Sequence, residues 1–301
     1  MNLPPDRSHL LTEQTADDAP LHRFSVSELV AHIQDHDAQI TQAMAAAQAA
    51  LSAFITAAEP GFIRGGRLIY FGAGTSGRLG VLDASEAPPT FHVQHDRIIG
   101  IIAGGDGSLR RSSEGKEDEV DGAIPALELL QLGPDDCLLG IAAGGTTPYV
   151  RGGLSWAGAL PKPPQTGLLT CCDVSAPDGV GHCIRLLVGP EVLTGSTRMK
   201  AGTATKLALN TISTALMIRS GRVYNTQMVA LRASNEKLRD RAARIIARIV
   251  PCNRELAFSY LEQAAGDVRL AIICARRQCD LERAKDLFAA AQQRFADVIE
   301  S

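Results

Sequence analysis

Five short apolar runs punctuate the middle of the chain: RLIYFG (67–72), RIIGIIAGG (97–105), CLLGIAAGG (137–145), TGLLTCC (166–172) and CIRLLVG (183–189). Each is nearly continuous rather than alternating, as in a parallel strand covered by helices on both faces. Helical periodicity occupies 76–86, 109–132 and 148–159 between them. The segment therefore predicts repeated βαβ units and an α/β fold with a doubly wound, mainly parallel five-stranded sheet. Ahead of it, residues 25–58 read as one Ala-rich helix ending before Pro60, with Ser25 as N-cap and Glu28 completing a capping box. After the fifth run, Thr194 or Ser196 can cap a helix that stops at Gly221.

The two ends read differently. Residues 1–24 are polar and carry Pro4, Pro5 and Pro20, which predicts an arm rather than a packed element. Beyond residue 235 the composition turns to Arg, Ala and Leu without a strand pattern, and 254–298 predicts three short amphipathic helices broken at Gly266-Asp267 and Cys279-Asp280. The expected organisation is an arm (1–24), a sheet domain with its leading helix (25–235) and a small helical domain (236–301).

Composition narrows the function classes. With 301 residues, 45% of them hydrophobic, core volume is no limitation. A net charge of −3 gives no field favouring nucleic acid or an anionic membrane, so a small-molecule ligand is expected. The seven cysteines contain no C-x-x-C pair, which predicts free thiols in a reducing cytoplasm. The first residues lack the basic-then-apolar order of a signal peptide, and no apolar run approaches the roughly eighteen residues of a membrane helix. His32 and His36 stand i, i+4 on the first helix, but no third metal ligand is suggested nearby, and they read as an exposed polar pair.

The first strand runs into G-x-G-x-x-G at Gly72, Gly74 and Gly77, a spacing commonly read as dinucleotide-binding. Two features oppose that reading. The ribose-binding acid expected about 20 residues on is missing, since the second strand ends in IIAGG with Asp106 only after the glycines. Thr75 and Ser76 add hydroxyls to a helix N-terminus, which suits a single terminal phosphate. The third strand ends alike, with Gly144, Gly145, Thr146 and Thr147 before a helix opened by Pro148, and a further hydroxyl set, TGST (194–197), precedes the last long helix of the sheet domain. Ligands of open α/β sheets lie beyond the carboxyl ends of the strands, where such loops can converge.

GRLIYFGAGTSGRLGVLDASEAPPTF (66–91), EGKED (114–118), GIAAGGTTPYV (140–150) and LTGSTRMKAGTATKLALN (193–210) together resemble the N-acetylmuramic acid 6-phosphate etherases, enzymes of the sugar isomerase (SIS) fold. The likeness runs from about residue 58 to the end of the chain. It implies a phosphosugar site, cleavage of a lactyl ether, a homodimer, and a C-terminal helical region like a ubiquitin-associated (UBA) domain. The chain departs from the family at Gly144-Gly145, where many members carry Ser-Gly, and in its first twenty residues.

Eliminating lactate from C3 of a ring-opened aldose needs a base for the C2 proton and an acid for the departing oxygen. The two groups must hold opposite protonation states at one pH. Glu86 fits the acid: it lies late in its helix before Pro88-Pro89, where the helix dipole and burial near the sheet edge would disfavour ionisation, and the resemblance places the proton donor there. Asp83, one turn earlier, could orient Glu86 or face solvent. Spacing does not choose a base among Glu114, Glu117, Asp118, Glu119 and Asp121 on the helix expected after Ser108; the resemblance selects Glu117. Thr75, Ser76 and the Gly74 loop, with Gly145, Thr146, Thr147, Ser196 and Thr197, are the expected phosphate binders. Arg198 and Lys200 are nearby cations that can equally turn to water or a carboxylate. The aldehyde is itself the electron sink, so no cofactor and no metal are expected. A phosphosugar sensor of the glucokinase regulatory protein type and an aldose–ketose isomerase are the competing readings; the presence of both Glu86 and Glu117 in their motifs favours the etherase.

Overall fold

The computed structural model describes residues 5–301 apart from 114, 232, 234, 292 and 293. Three helices lead in: α1 (Val26–Asp37), α2 (Gln39–Ala46) and α3 (Gln48–Ile63). The sheet unit continues with β1 (Leu68–Gly72), α4 (Gly74–Phe91), β2 (Ile98–Ile102), α5 (Ile124–Leu129), β3 (Cys137–Ile141), α6 (Pro148–Gly158), β4 (Gln165–Thr170), β5 (His182–Arg185) and α7 (Lys200–Met217). All five strands are parallel, in the order β2-β1-β3-β4-β5. This is the doubly wound sheet that the apolar runs predict. The chain leaves β1 for β2 on one side and then crosses to β3 on the other. The strand order thus reverses between β1 and β3, and a crevice opens beyond their carboxyl ends.

Both faces of the sheet are covered. On β1, Ile69 and Phe71 pack with Leu138, Val150, Leu154 and Leu168 under α6, and all six side chains are fully buried. On another strand, a Cβ placed at Gly167 would stand 3.0 Å from the Phe54 ring of α3, so glycine there admits the aromatic. Each such buried aliphatic or aromatic contributes on the order of 1.5–3 kcal/mol. At one end of the sheet, Arg67 binds Asp136 through Nη2 at 2.7 Å and Nε at 3.0 Å. Burial alone would push the Asp136 carboxyl up, but hydrogen bonds from Arg67 and the Gly133 amide bring it below its ordinary value.

Three departures from the sequence reading have physical causes. The expected helix over 25–58 is three helices, and the α1–α2 pair is bent by 51° from α3. An alanine-rich stretch favours helix everywhere but fixes no single axis, so burial of Ile40, Ala43, Leu51 and Phe54 sets the path. α3 also runs through Pro60 to Ile63, because a proline in the last turn forfeits little and Phe62 is buried there. The expected helix over 109–132 is mostly tight turns, at Asp106–Leu109 and Lys116–Asp118, before the short α5; Gly115 has φ +86°, outside helical space. Finally, the arm is partly packed, since Leu10 and Thr12 are buried. The capping box is as expected: Ser25 Oγ accepts from the Glu28 amide, and Glu28 Oε2 accepts from the Ser25 amide at 2.7 Å.

The chain divides into two compact units, Met1–Ser85 with His95–Ser213, and Glu86–Gln94 with Thr214–Ser301. In the second, a two-strand ribbon of β6 (Val223–Tyr224) and β7 (Gln227–Met228) precedes α8 (Glu236–Ile249), α9 (Arg254–Gln263), α10 (Val268–Arg277), α11 (Leu281–Ala290) and α12 (Phe295–Glu300). Residues 254–298 thus hold four helices where periodicity predicts three, because the break after α11 carries no Gly or Pro to announce it. Asn235, Asn253, Asp267 and Asp280 each cap a helix through the side chain, at about 1 kcal/mol apiece. Ile246, Leu261, Ile272, Ile273 and Phe295 form the unit's core. Among the described residues no single helix is long and apolar enough to cross a membrane.

Candidate active site

The glycine spacing is used for close approach. A Cβ at Gly72 would fall 2.7 Å from the Ile141 carbonyl oxygen, and one at Gly77 2.5 Å from that of Gly72, so α4 starts hard against the ends of β1 and β3. Gly74 adopts φ +53° with nothing within 4 Å of where a Cβ would stand, leaving the loop open toward the crevice. Across it, Thr147 is the residue before α6, and its side chain makes no capping hydrogen bond, so its hydroxyl is available to a ligand. A Cβ at Gly202, in the first turn of α7, would lie 3.5 Å from Thr75 Cγ2 and 3.3 Å from the Thr197 carbonyl, which brings the third hydroxyl loop against the first.

These loops enclose a cavity of about 230 Å³, with Thr75, Ser76, Thr146, Thr147 and Thr197 in its wall. The N-termini of α4 and α6 both open into it, so the positive ends of two helix dipoles face one space. Glu117 and Asp118 line the same cavity. The segment is held on either side of them: before, Arg78 of α4 donates to the carbonyls of Ser108 at 2.7 Å and Leu109 at 3.2 Å, and after, Val120 lies directly on α6, where a Cβ at Gly152 would come within 1.9 Å of its carbonyl oxygen. Anion-binding donors and a carboxylate base candidate therefore face the same small volume.

Other candidates sit elsewhere. Glu86 is the thirteenth residue of α4, exposed, and outside the cavity wall. The burial expected for it is absent because its position on α4 turns outward. Asp83 neither orients Glu86 nor faces solvent. It is buried, and accepts from Tyr70 Oη at 3.0 Å, Asn210 Nδ2 at 2.7 Å and Ser213 Oγ at 3.2 Å. Burial, with the Asp83 charge adding, pushes the Tyr70 phenol well above its usual range. Gly145 (φ +71°) shapes the turn behind the wall, where a Cβ would strike Val174. Ser196 and the exposed Arg198 are not in the wall. Lys200 is buried and donates from Nζ to Gln39 Oε1 at 2.7 Å, while its amide is held by Glu191; burial lowers its ammonium, with Glu191 and Asp37 opposing. It is a structural lysine rather than a phosphate ligand.

The residues that the sequence reading missed come from the arm. Arg7, Thr12 and Glu13 line the cavity, and Arg7 supplies a cation there. A Cβ at Gly144 would meet Thr12 Oγ1 at 3.6 Å, Leu10 Cδ1 at 3.7 Å and Thr146 Oγ1 at 3.8 Å, so the arm and Thr146 border the place where the resemblance leads one to expect a serine. The apolar pair Leu10-Leu11 inside a polar stretch was the one signal that this segment packs.

Residues 48–157 match the model of the glucokinase regulatory protein N-terminal SIS domain. Over longer spans the chain is similar to proteins named N-acetylmuramic acid 6-phosphate etherase. That of Synechococcus sp. (strain CC9605) is 48% identical, over 93% of this chain and 89% of the relative. That of Histophilus somni (strain 129Pt) is 42% identical over 97% of each, and that of Picosynechococcus sp. (strain ATCC 27264 / PCC 7002 / PR-6) 41% identical over all of each. Sheet order, loop chemistry and near-complete coverage agree: the chain belongs to the N-acetylmuramic acid 6-phosphate etherase family, built on a SIS-type α/β fold.

Proposed function

We propose that this protein cleaves the D-lactyl ether of N-acetylmuramic acid 6-phosphate, giving N-acetylglucosamine 6-phosphate and D-lactate, a lyase reaction of cell-wall sugar recycling. The observation that carries the reading is one cavity of about 230 Å³ walled by three hydroxyl-bearing loops and by Glu117. Amides and hydroxyls at the N-termini of α4 and α6, with Arg7, receive the 6-phosphate. In the ring-opened sugar, Glu117 takes the C2 proton. The C–H electrons form the C2–C3 double bond while the C3–O bond breaks, and Glu86 gives its proton to the lactyl oxygen. Water then adds at C3 of the unsaturated aldehyde, and C2 regains a proton. Each transfer contributes about 10²- to 10⁴-fold when the group is within hydrogen-bond reach. The C1 aldehyde holds the transient charge, so the scheme calls for no cofactor.

Glu86 reaches the sugar in this scheme from a second copy in a homodimer. Exposed Leu82 and Leu207 support that arrangement: they are apolar side chains on α4 and α7, which are joined by the Asn210–Asp83 hydrogen bond. Seven free thiols suit a cytoplasmic location.

Incubation with N-acetylmuramic acid 6-phosphate in deuterated water should release D-lactate and leave deuterium at C2; retention of the original hydrogen would refute proton abstraction. Glu117→Gln and Glu86→Gln should each abolish release while keeping phosphosugar binding, and normal turnover by either would remove its assigned role. If the site is shared, mixing the two inactive variants restores about a quarter of wild-type activity, through hybrids with one intact site. No recovery after subunit exchange would refute sharing.

A further inference from the structure

The helical pair His32 and His36 acquires in the fold the third partner that its sequence spacing lacks. Asp17, from the arm, brings Oδ2 to 3.5 Å from His32 Nε2 and 3.2 Å from His36 Nε2. The three ligand atoms lie within 4.8 Å of one another. Four-coordinate zinc with bonds of about 2.0–2.1 Å has ligand–ligand edges of about 3.3–3.4 Å. The two Asp17–histidine separations straddle that edge.

The surroundings point the same way. Asp17 Oδ1 accepts from the Ala19 amide at 2.9 Å, which turns the other oxygen toward the imidazoles. His32 Nε2, the ring nitrogen that faces Asp17, is a buried atom with no hydrogen-bond partner, although a buried ring nitrogen ordinarily has one. The rings are 4.8 Å apart, and Phe24 packs edge-on to His32 at 5.5 Å, fixing its orientation. Placing two imidazoles and a carboxylate around one point leaves a cation-shaped demand that a single proton between Asp17 and His36 meets only in part.

We propose that Asp17, His32 and His36 form a binding site for a divalent transition ion, with Zn²⁺ the best match and solvent at the remaining position. Two nitrogen donors and one oxygen favour zinc and its neighbours over magnesium or calcium, which take oxygen sets. Both imidazoles bind as neutral rings. The ion staples the arm to α1. Asp17 is five residues beyond Thr12, so the staple holds the segment that brings Thr12 and Glu13 to the cavity wall.

The test uses the full chain stripped with EDTA and titrated with Co²⁺ as a spectroscopic stand-in, then with Zn²⁺. Visible d–d absorption should saturate at about one equivalent and be displaced by Zn²⁺. His32→Gln, His36→Gln and Asp17→Asn should each weaken binding at least about tenfold, and Zn²⁺ should protect the first 24 residues from proteolysis. Imidazole NMR of the wild-type chain gives an independent reading that does not depend on variants folding: Zn²⁺ should shift two histidines selectively. Absence of those shifts, unchanged affinity in the variants, or a thiolate-to-cobalt charge-transfer band marking binding at cysteine would each overturn the site.

Discussion

Gly152→Ala isolates what the placement of Glu117 is worth. The new Cβ would stand 1.9 Å from the Val120 carbonyl oxygen and 2.8 Å from its carbon, both backbone atoms. To reach a tolerable contact of about 3 Å the Val120 peptide must retreat by more than about an ångström. Glu117 is three residues earlier on the same run of turns, which the Gly122 amide closes onto the Glu119 carbonyl at 3.0 Å, so the displacement carries to the base. A misplacement of that size costs about 10²-fold in rate, or about 2.7 kcal/mol of barrier. Stability should move less, because alanine improves helix propensity by about 1 kcal/mol against about 1–3 kcal/mol of overpacking. The assay is steady-state D-lactate release with a parallel thermal melt. kcat should fall about 10²-fold with KM nearly unchanged, because the new Cβ meets Val120 rather than the hydroxyl loops at the N-termini of α4 and α6. Gly107→Ala, with nothing within 4 Å of its Cβ position, is the control and should retain activity. A Gly152→Ala enzyme with wild-type kcat would refute the claim that the α6 contact positions the base.

Three further outcomes follow from the same geometry. Arg7→Ala should raise KM about tenfold with kcat largely kept, since one charge-assisted contact to a phosphate is worth about 1.5–3 kcal/mol; unchanged KM would take Arg7 out of the site. Gly144→Ser should be accepted with KM within about threefold of wild type, because the contacts awaiting its Cβ are ordinary ones of 3.6–3.8 Å. Asp136→Asn should cost about 2–3 kcal/mol in urea melts at neutral pH. The Asp136 carboxyl is lowered in the folded state, so its contribution is complete above the ordinary carboxylate range near pH 4 and vanishes as pH falls through the folded value. The gap between wild type and variant should therefore close in acid, and a gap that persists there would assign the effect to packing instead.

The sheet was legible because both-face burial writes itself as unbroken apolar runs, and because glycine at 72, 74 and 77 marks where backbone meets backbone. Thr75, Ser76, Thr146 and Thr147 were legible for the same reason, as hydroxyls tied to strand ends. Asp83 and Lys200 were not: a charged side chain spent on Tyr70 or Gln39 looks in sequence like one offered to a ligand, and only the fold shows which partner it has. The region around Glu117 misled because acidic residues at helical spacing imitate a helix, whereas Gly107, Gly115 and Gly122 break it into turns. Arg7 and the Asp17–His32–His36 cluster escaped because contacts between an arm and distant elements leave no periodicity to read.

The proposed anion cradle and the proposed base stand on backbone of unequal firmness. Strand ends buried at the centre of the sheet bear the first, and a succession of single turns, held by Arg78 at its start on Ser108 and Leu109, bears the second. Segments with few enclosed contacts open locally at a smaller free-energy cost than the interior that supports them. On gentle warming, turnover should thus fade while the protein still captures sugar phosphates and still shows a folded spectrum. A stock judged sound by ligand retention alone would have silently lost its chemistry.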